Sequence, residues 1–87
     1  MYNINEREVM KVWVTRDTGE YSDDICLWTG RKKPFIDTDG RWEFEGAGTY
    51  PIGSFEHMSP RQSKSNFGFT PRKGSCKQYE LSLKEIK

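Results

Sequence analysis

The amino-acid sequence predicts a mainly β protein: a single small antiparallel sheet or meander of five or six strands, with a long basic loop and at most one short helix. Three observations carry that prediction. Of 87 residues, twelve are Phe, Trp or Tyr, while one is Ala and three are Leu; this composition suits a pleated surface better than a helical bundle. The run Met10-Lys11-Val12-Trp13-Val14-Thr15-Arg16-Asp17 joins β-branched to aromatic residues and closes on the turn sequence Asp17-Thr18-Gly19. Two later stretches, 41–45 and 78–84, alternate polar and apolar residues at a period of two.

The length fits one domain, 1–87, which hides roughly 60–65% of the surface its unfolded chain exposes. With so few Leu and Ala, the core has to be built from large rings, each burying on the order of 150–250 Å². Residues 1–7 are polar and expected to fray. In the first strand Met10, Val12 and Val14 share the face expected to turn inward, leaving Lys11, Trp13 and Thr15 on the other. The acidic connection 17–24 reads as a solvated hairpin tip. Its carboxylates fit the spacing of no standard metal loop.

Ile25-Cys26-Leu27-Trp28 is apolar on both faces, the pattern of a central strand covered on two sides. Pro34-Phe35-Ile36 reads as a short strand with its Pro at the edge or at the first position. Asp37-Thr38-Asp39-Gly40 is a hairpin turn, and Trp42 and Phe44 alternate with charges on the strand that follows. Through residue 45 the expectation is a four-stranded meander. The glycines at 46–53 match neither a dinucleotide-binding fingerprint nor a Walker loop, so this stretch is a corner from which Tyr50, Ile52 and Phe55 pack back over the sheet. Tyr79, Leu81 and Leu83 alternate in a final strand placed beside the first. Expected core residues are Val12, Val14, Leu27, Trp42, Phe44, Leu81 and Leu83, with loss of Trp42 or Phe44 expected to cost about 3–5 kcal/mol.

Between these strands, residues 57–77 form the long loop. From His57 to Tyr79 there is no Asp or Glu, while Arg61, Lys64, Arg72, Lys73 and Lys77 are present. Loops this long in compact domains are functional or unstructured. Phe67 and Phe69 are expected to pin it to the body at least once.

Over the whole chain, 14 Lys plus Arg stand against 13 Asp plus Glu, a net charge of +1. That balance gives no global argument for nucleic acid or a membrane surface. No stretch approaches the roughly 18 apolar residues of a membrane span, and the first residues lack the pattern of a signal peptide. The expected location is cytoplasmic, and Cys26 and Cys76 are expected to be reduced thiols.

The frame Lys11-Val12-Trp13-Val14-Thr15-Arg16-Asp17, a Gly, Cys26-Leu27-Trp28, Lys33-Pro34 and Gly40-Arg41-Trp42 resembles a group of small uncharacterised β proteins of Bacteroides-type gut bacteria and their phages or prophages. The resemblance spans residues 10–45 and the last strand; the loop 57–77 departs from it in length and basicity. It implies a small β fold in a mobile-element setting and brings no catalytic residue with it.

No catalytic constellation is visible. The single His57 has no nucleophile at a recognisable spacing, and one His with two distant Cys supports no zinc site. The expectation is a non-enzymatic binding module without cofactor or metal, an accessory protein of a phage or mobile element docking on a host or phage protein. Its candidate binding residues are Trp13, Arg31, Lys32, Lys33, Arg61, Lys64, Phe67, Phe69, Arg72 and Lys73. The basic residues segregate from the acids at 17–24, around Glu43 and in the last strand, so the expected partner is an acidic protein surface and not a membrane. The alternative is nucleic-acid or nucleotide binding through 57–77, where Ser59-Pro60-Arg61 and Thr70-Pro71-Arg72 flank Phe67 and Phe69. Against it stands the reading of ordinary Pro turns in a solvated loop.

Overall fold

The computed structural model describes the backbone of residues 7–44 and 48–84, and side chains within 11–44, 48–53 and 55–80. Expectations for residues 1–6, for Met10 and Glu45, and for the burial of Leu81 and Leu83 lie outside the described residues. The chain runs through β1 (Arg7–Arg16), β2 (Ile25–Gly30), β3 (Phe35–Ile36), β4 (Trp42–Glu43), β5 (Thr49–Pro51), a 3-10 turn (Gly53–Phe55), α1 (Pro60–Phe67) and β6 (Cys76–Lys84). The architecture is mainly β with one short helix, as the composition predicts. Among the described residues no helix is long and apolar enough to cross a membrane.

β1 is the axis of the molecule. It pairs with β2 from Val12 to Arg16 and with β6 from Arg7 to Thr15, both antiparallel, in a sheet of order β5-β2-β1-β6. The last strand therefore lies beside the first. Alternation assigns the faces: Val12 and Val14 of β1 share one face with Ile25 and Leu27 of β2, and all four are buried there with Met58. Ile52, Phe55, Phe67, Phe69 and Tyr79 pack around that cluster, with rings in series from Phe55 through Phe67 and Phe69 to Tyr79.

Four expectations need correction. The meander does not extend to residue 45. β3 and β4 pair only with each other, and β5 occupies the place beside β2. Two-residue strands offer too few ladder bonds to join a sheet; instead this ribbon lies over the opposite face and is tied to the end of β1. The Trp42 indole donates to the Arg16 carbonyl (3.0 Å), the Trp42 backbone N–H to Asp17 Oδ1 (2.9 Å), and the Thr18 backbone N–H to the Gly40 carbonyl (2.9 Å).

The segment 57–77 is not an irregular loop. Its centre is α1, opened by a capping box in which Ser59 accepts from the Gln62 N–H while the Gln62 side chain accepts from the Ser59 N–H, with Pro60 at the start and Gly68 closing it at φ 86°. A loop of that length would leave many backbone groups unpaired, which the helix satisfies internally.

Nor are the rings of the second strand pair buried as expected. Trp42 is half-buried and Phe44 is 37% exposed. Tyr50, expected to pack back, is 52% exposed. Trp42 and Phe44 belong to the ribbon itself, which is too small to enclose its own rings, and Tyr50 lies on the edge strand β5.

The acidic tip is less solvated than its sequence implies. Asp17 is buried, its Oδ2 accepting from the Ser22 hydroxyl (2.7 Å) while Oδ1 holds Trp42. Arg16 makes a bidentate pair with Asp23 (2.7 and 2.9 Å) and donates to the Pro71 carbonyl (2.9 Å), so one side chain joins the β1–β2 connection to the segment after α1. The guanidinium hydrogen bonds hold the Asp23 carboxyl below its ordinary value. That contribution is present above the ordinary carboxylate pKa and is lost as the pH falls through the lowered one.

Candidate functional site

The face of the sheet opposite the main core carries the open chemistry. There Thr15 lies in register with Cys26 on one side and Cys76 on the other, and Trp28 lies between Trp13 and Pro51. Thr15 is buried and satisfied: its Oγ1 accepts from the Trp28 indole at 2.8 Å. Phe44, carried past the end of β4, stacks at a tilt against Trp28 (centroids 5.5 Å) and against Tyr50 (6.3 Å). It stands between two concavities and lines both.

The first is a pocket of about 290 Å³ lined by Lys32, Lys33, Phe35, Phe44 and Thr49. Local geometry fixes it. Gly30, at φ 134°, turns the chain out of β2, and the Arg31 N–H donates to the Gly48 carbonyl (2.9 Å). Buried Thr49 donates its hydroxyl to the Lys32 carbonyl (2.5 Å), locking the basic turn onto β5. Beside this pocket Phe35 is 46% exposed and Ile36 41%.

The second is a cleft of about 230 Å³ on the other side of the ribbon, with Trp28, Trp42 and Phe44 as walls and Asp24, Glu43, Glu56, Arg41 and His57 among its polar lining. His57 has a left-handed backbone (φ 54°), rare for a residue with a side chain. The reversal lets Met58 exchange both backbone hydrogen bonds with Ile25 (2.9 and 2.8 Å), and it brings the His57 Nδ1–H onto Asp24 Oδ2 at 2.8 Å. That hydrogen bond raises the imidazole pKa; burial opposes it, and the Asp24, Glu56 and Asp17 charges add to the rise. The pair stabilises the fold below the ordinary imidazole pKa and loses that contribution as the pH rises through the raised one. Titration of His57 by NMR is expected to give a pKa above 6.5, falling back in Asp24→Asn. An unchanged value in that variant would break the assignment.

Cys26 also lies in the cleft. Burial first, then the Glu56, Asp17 and Asp24 charges, push its thiol up to about 12, so it stays protonated at neutral pH. Burial pushes the Cys76 thiol up as well. The two cysteines flank β1 on separate strands, both opposite Thr15. Two strand spacings of about 4.8 Å put their Cα atoms roughly 10 Å apart, beyond the approximately 7 Å a disulfide spans. Among the described residues no group of three or more His, Cys, Asp or Glu is placed to hold a metal ion.

The fold does not gather the sequence-predicted residues into one surface. Arg31, Lys32 and Lys33 are exposed on the ribbon side, with Lys32 and Lys33 at the basic pocket. Arg61 and Lys64 are exposed on α1, whose Phe67 packs on the opposite face of the sheet. Lys73 lies near the acidic tip, where its charge acts on Asp23, and Arg72 is exposed next to it. Phe67 and Phe69 are half-buried and pack against the core cluster. Trp13 is half-buried, its indole donating to the Gly30 carbonyl (3.2 Å). What the sequence reading missed are Phe35, Phe44 and Tyr50 as exposed rings, and Asp24 and His57 as a pair. The Pro before Phe35 signalled an edge strand and hence exposure; nothing local pairs residues 33 positions apart. No protein-family model, curated protein or solved structure matches the chain.

Proposed function

We propose that this protein is a non-enzymatic binding module that docks an acidic segment of a partner protein in the pocket between Lys32, Lys33, Phe35 and Phe44. The observation carrying this reading is the adjacency of exposed rings and cations: Phe35 and Phe44 line one pocket with Lys32 and Lys33, and exposed Tyr50 packs on Phe44. Small proteins seldom leave several large rings together in water unless a partner covers them. Rings anchor an interface, while neighbouring cations choose an acidic partner and steer its approach. The motif resemblance extends the reading to an accessory role in a mobile element, with a host or phage protein as the partner.

A random peptide library selected on the immobilised protein tests it. The selected peptides are expected to place Asp or Glu next to an aromatic or aliphatic residue. Lys32→Glu with Lys33→Glu is expected to weaken them at least tenfold, and Phe35→Ala about tenfold, the size of an ordinary hot-spot loss. Arg61→Glu with Lys64→Glu, on the far side of the sheet, should change little. Peptides without acidic bias, or an equal loss from the α1 variants, would remove the pocket from the interface. Lysines beside rings also suit a stacked base. Salt-sensitive binding of oligo-dT abolished by the Lys32 and Lys33 changes would therefore replace the protein partner by single-stranded nucleic acid.

A further inference from the structure

The cleft on the other side of the ribbon presents chemistry of the opposite sign, and its reading is independent of the pocket's. Its walls are aromatic but lack hydrogen-bond donors: the Trp28 indole N–H is committed to Thr15 and the Trp42 indole N–H to the Arg16 carbonyl. Ser22 is committed too, donating to Asp17. Apart from Arg41 and His57, what remains for a ligand is ring surface and carboxylate oxygen. Four carboxylates line the cleft against the cations Arg41 and His57; Asp17 is already occupied, Asp24 holds the imidazole through Nδ1, and one Glu56 oxygen lies 3.7 Å from its Nε2. The carboxylates alone would make no site. Their position around three rings in one concavity defines what fits: a flat, donor-rich cation whose face stacks on a ring while its edge reaches carboxylates.

We infer that this cleft binds a guanidinium group on a short carbon stem, its plane against Trp42 or Phe44 and its N–H donors on Glu43 and Glu56. The guanidinium is planar, weakly hydrated and rich in donors, so it satisfies rings and carboxylates together where a compact ammonium would use mainly the carboxylates. The volume, about 230 Å³, suits a side-chain-sized group, since sites for whole drug-sized ligands start at about 300 Å³. The carboxylate charges add to the burial that raises the Cys26 pKa and to the Asp24 hydrogen bond that raises that of His57.

Ethylguanidinium and its uncharged isostere N-ethylurea, titrated at matched ionic strength and followed through the indole N–H resonances by NMR, test the inference. Ethylguanidinium is expected to shift Trp28 and Trp42 saturably and to leave Trp13, which does not line the cleft, in place; N-ethylurea is expected to bind at least tenfold more weakly. Glu43→Gln with Glu56→Gln should weaken ethylguanidinium about tenfold, and Lys32→Glu with Lys33→Glu, in the other pocket, should not weaken it. The source of the group is read from an end-blocked Gly-Arg-Gly peptide. Binding ten times tighter than ethylguanidinium places the guanidinium on a partner chain, and equal binding makes a free guanidine compound the ligand. No saturable shift, an equal response to N-ethylurea, or full affinity in the double Gln variant overturns the assignment.

Discussion

Gly30→Ala is expected to leave the protein largely unfolded. The backbone at position 30 has φ 134°, a conformation costing a side-chain-bearing residue about 1–3 kcal/mol. The steric cost adds to this. An Ala Cβ would collide with the Gly48 carbonyl oxygen and approach Thr49 Cα to 2.5 Å, and both are backbone atoms at the start of β5 or just before it. No side chain can swing away, so relief requires β5 to leave β2. That opens the Thr29↔Tyr50 and Gly30↔Thr49 pairs and releases the Arg31–Gly48 hydrogen bond. A domain of this size has on the order of 5–10 kcal/mol of stability in total, so this loss takes most of it. Denaturant titration checks it: a midpoint matching that of the parent protein would mean the Gly30 conformation is not required. Any fraction that stays folded is expected to lose the basic pocket, because Thr49 and the Lys32 carbonyl are parted by the same movement.

Leu27→Ala is the second large effect, with a loss of about 2–5 kcal/mol. Leu27 is 2% exposed, faces Val14 across the strand pair and sits in the buried core cluster. β2 is covered on both faces, so the vacated volume cannot be filled by a small shift of a surface element. The comparison with Phe44→Ala decides the register. The alternation of residues 41–45 makes Phe44 a core ring with a 3–5 kcal/mol penalty; at 37% exposure it is a surface wedge whose removal is expected to cost about 1 kcal/mol. Phe44→Ala should therefore stay folded while weakening binding at both concavities it lines. Urea unfolding with an unchanged slope separates the two variants. If Phe44→Ala proves more costly than Leu27→Ala, the ribbon packs more deeply than described.

What the sequence determines by itself is local. Alternation assigned Val12 and Val14 to one face, a double-sided apolar run made Ile25–Trp28 a central strand, and Gly40 (φ 79°) closes the β3–β4 turn as the Asp37–Gly40 sequence requires. The helix was also written there, in Ser59-Pro60-x-Gln62 and Gly68. Its signal is in the caps alone, because α1 has a single buried residue, Ser63, and so shows no apolar stripe of the usual period.

Tertiary structure decided what depends on partners distant in the chain. Alternation is the same for a strand joining a sheet and for a two-residue ribbon docked across it, so it is long-range contacts, the bonds from Trp42 to Arg16 and Asp17 and from Thr18 to Gly40 among them, that fix where residues 35–44 lie. The same holds for charge. Residues 57–77 are basic and 17–24 acidic along the sequence, but Arg16 draws the two segments together, and Lys73 acts on Asp23. The segregation visible in sequence is thereby partly neutralised in space, because electrostatic fields follow distances between side chains and not their separation along the chain. The cation-rich ring pocket and the carboxylate-rich ring cleft arise on either side of Phe44 for that reason: each assembles from segments whose adjacency no local pattern encodes.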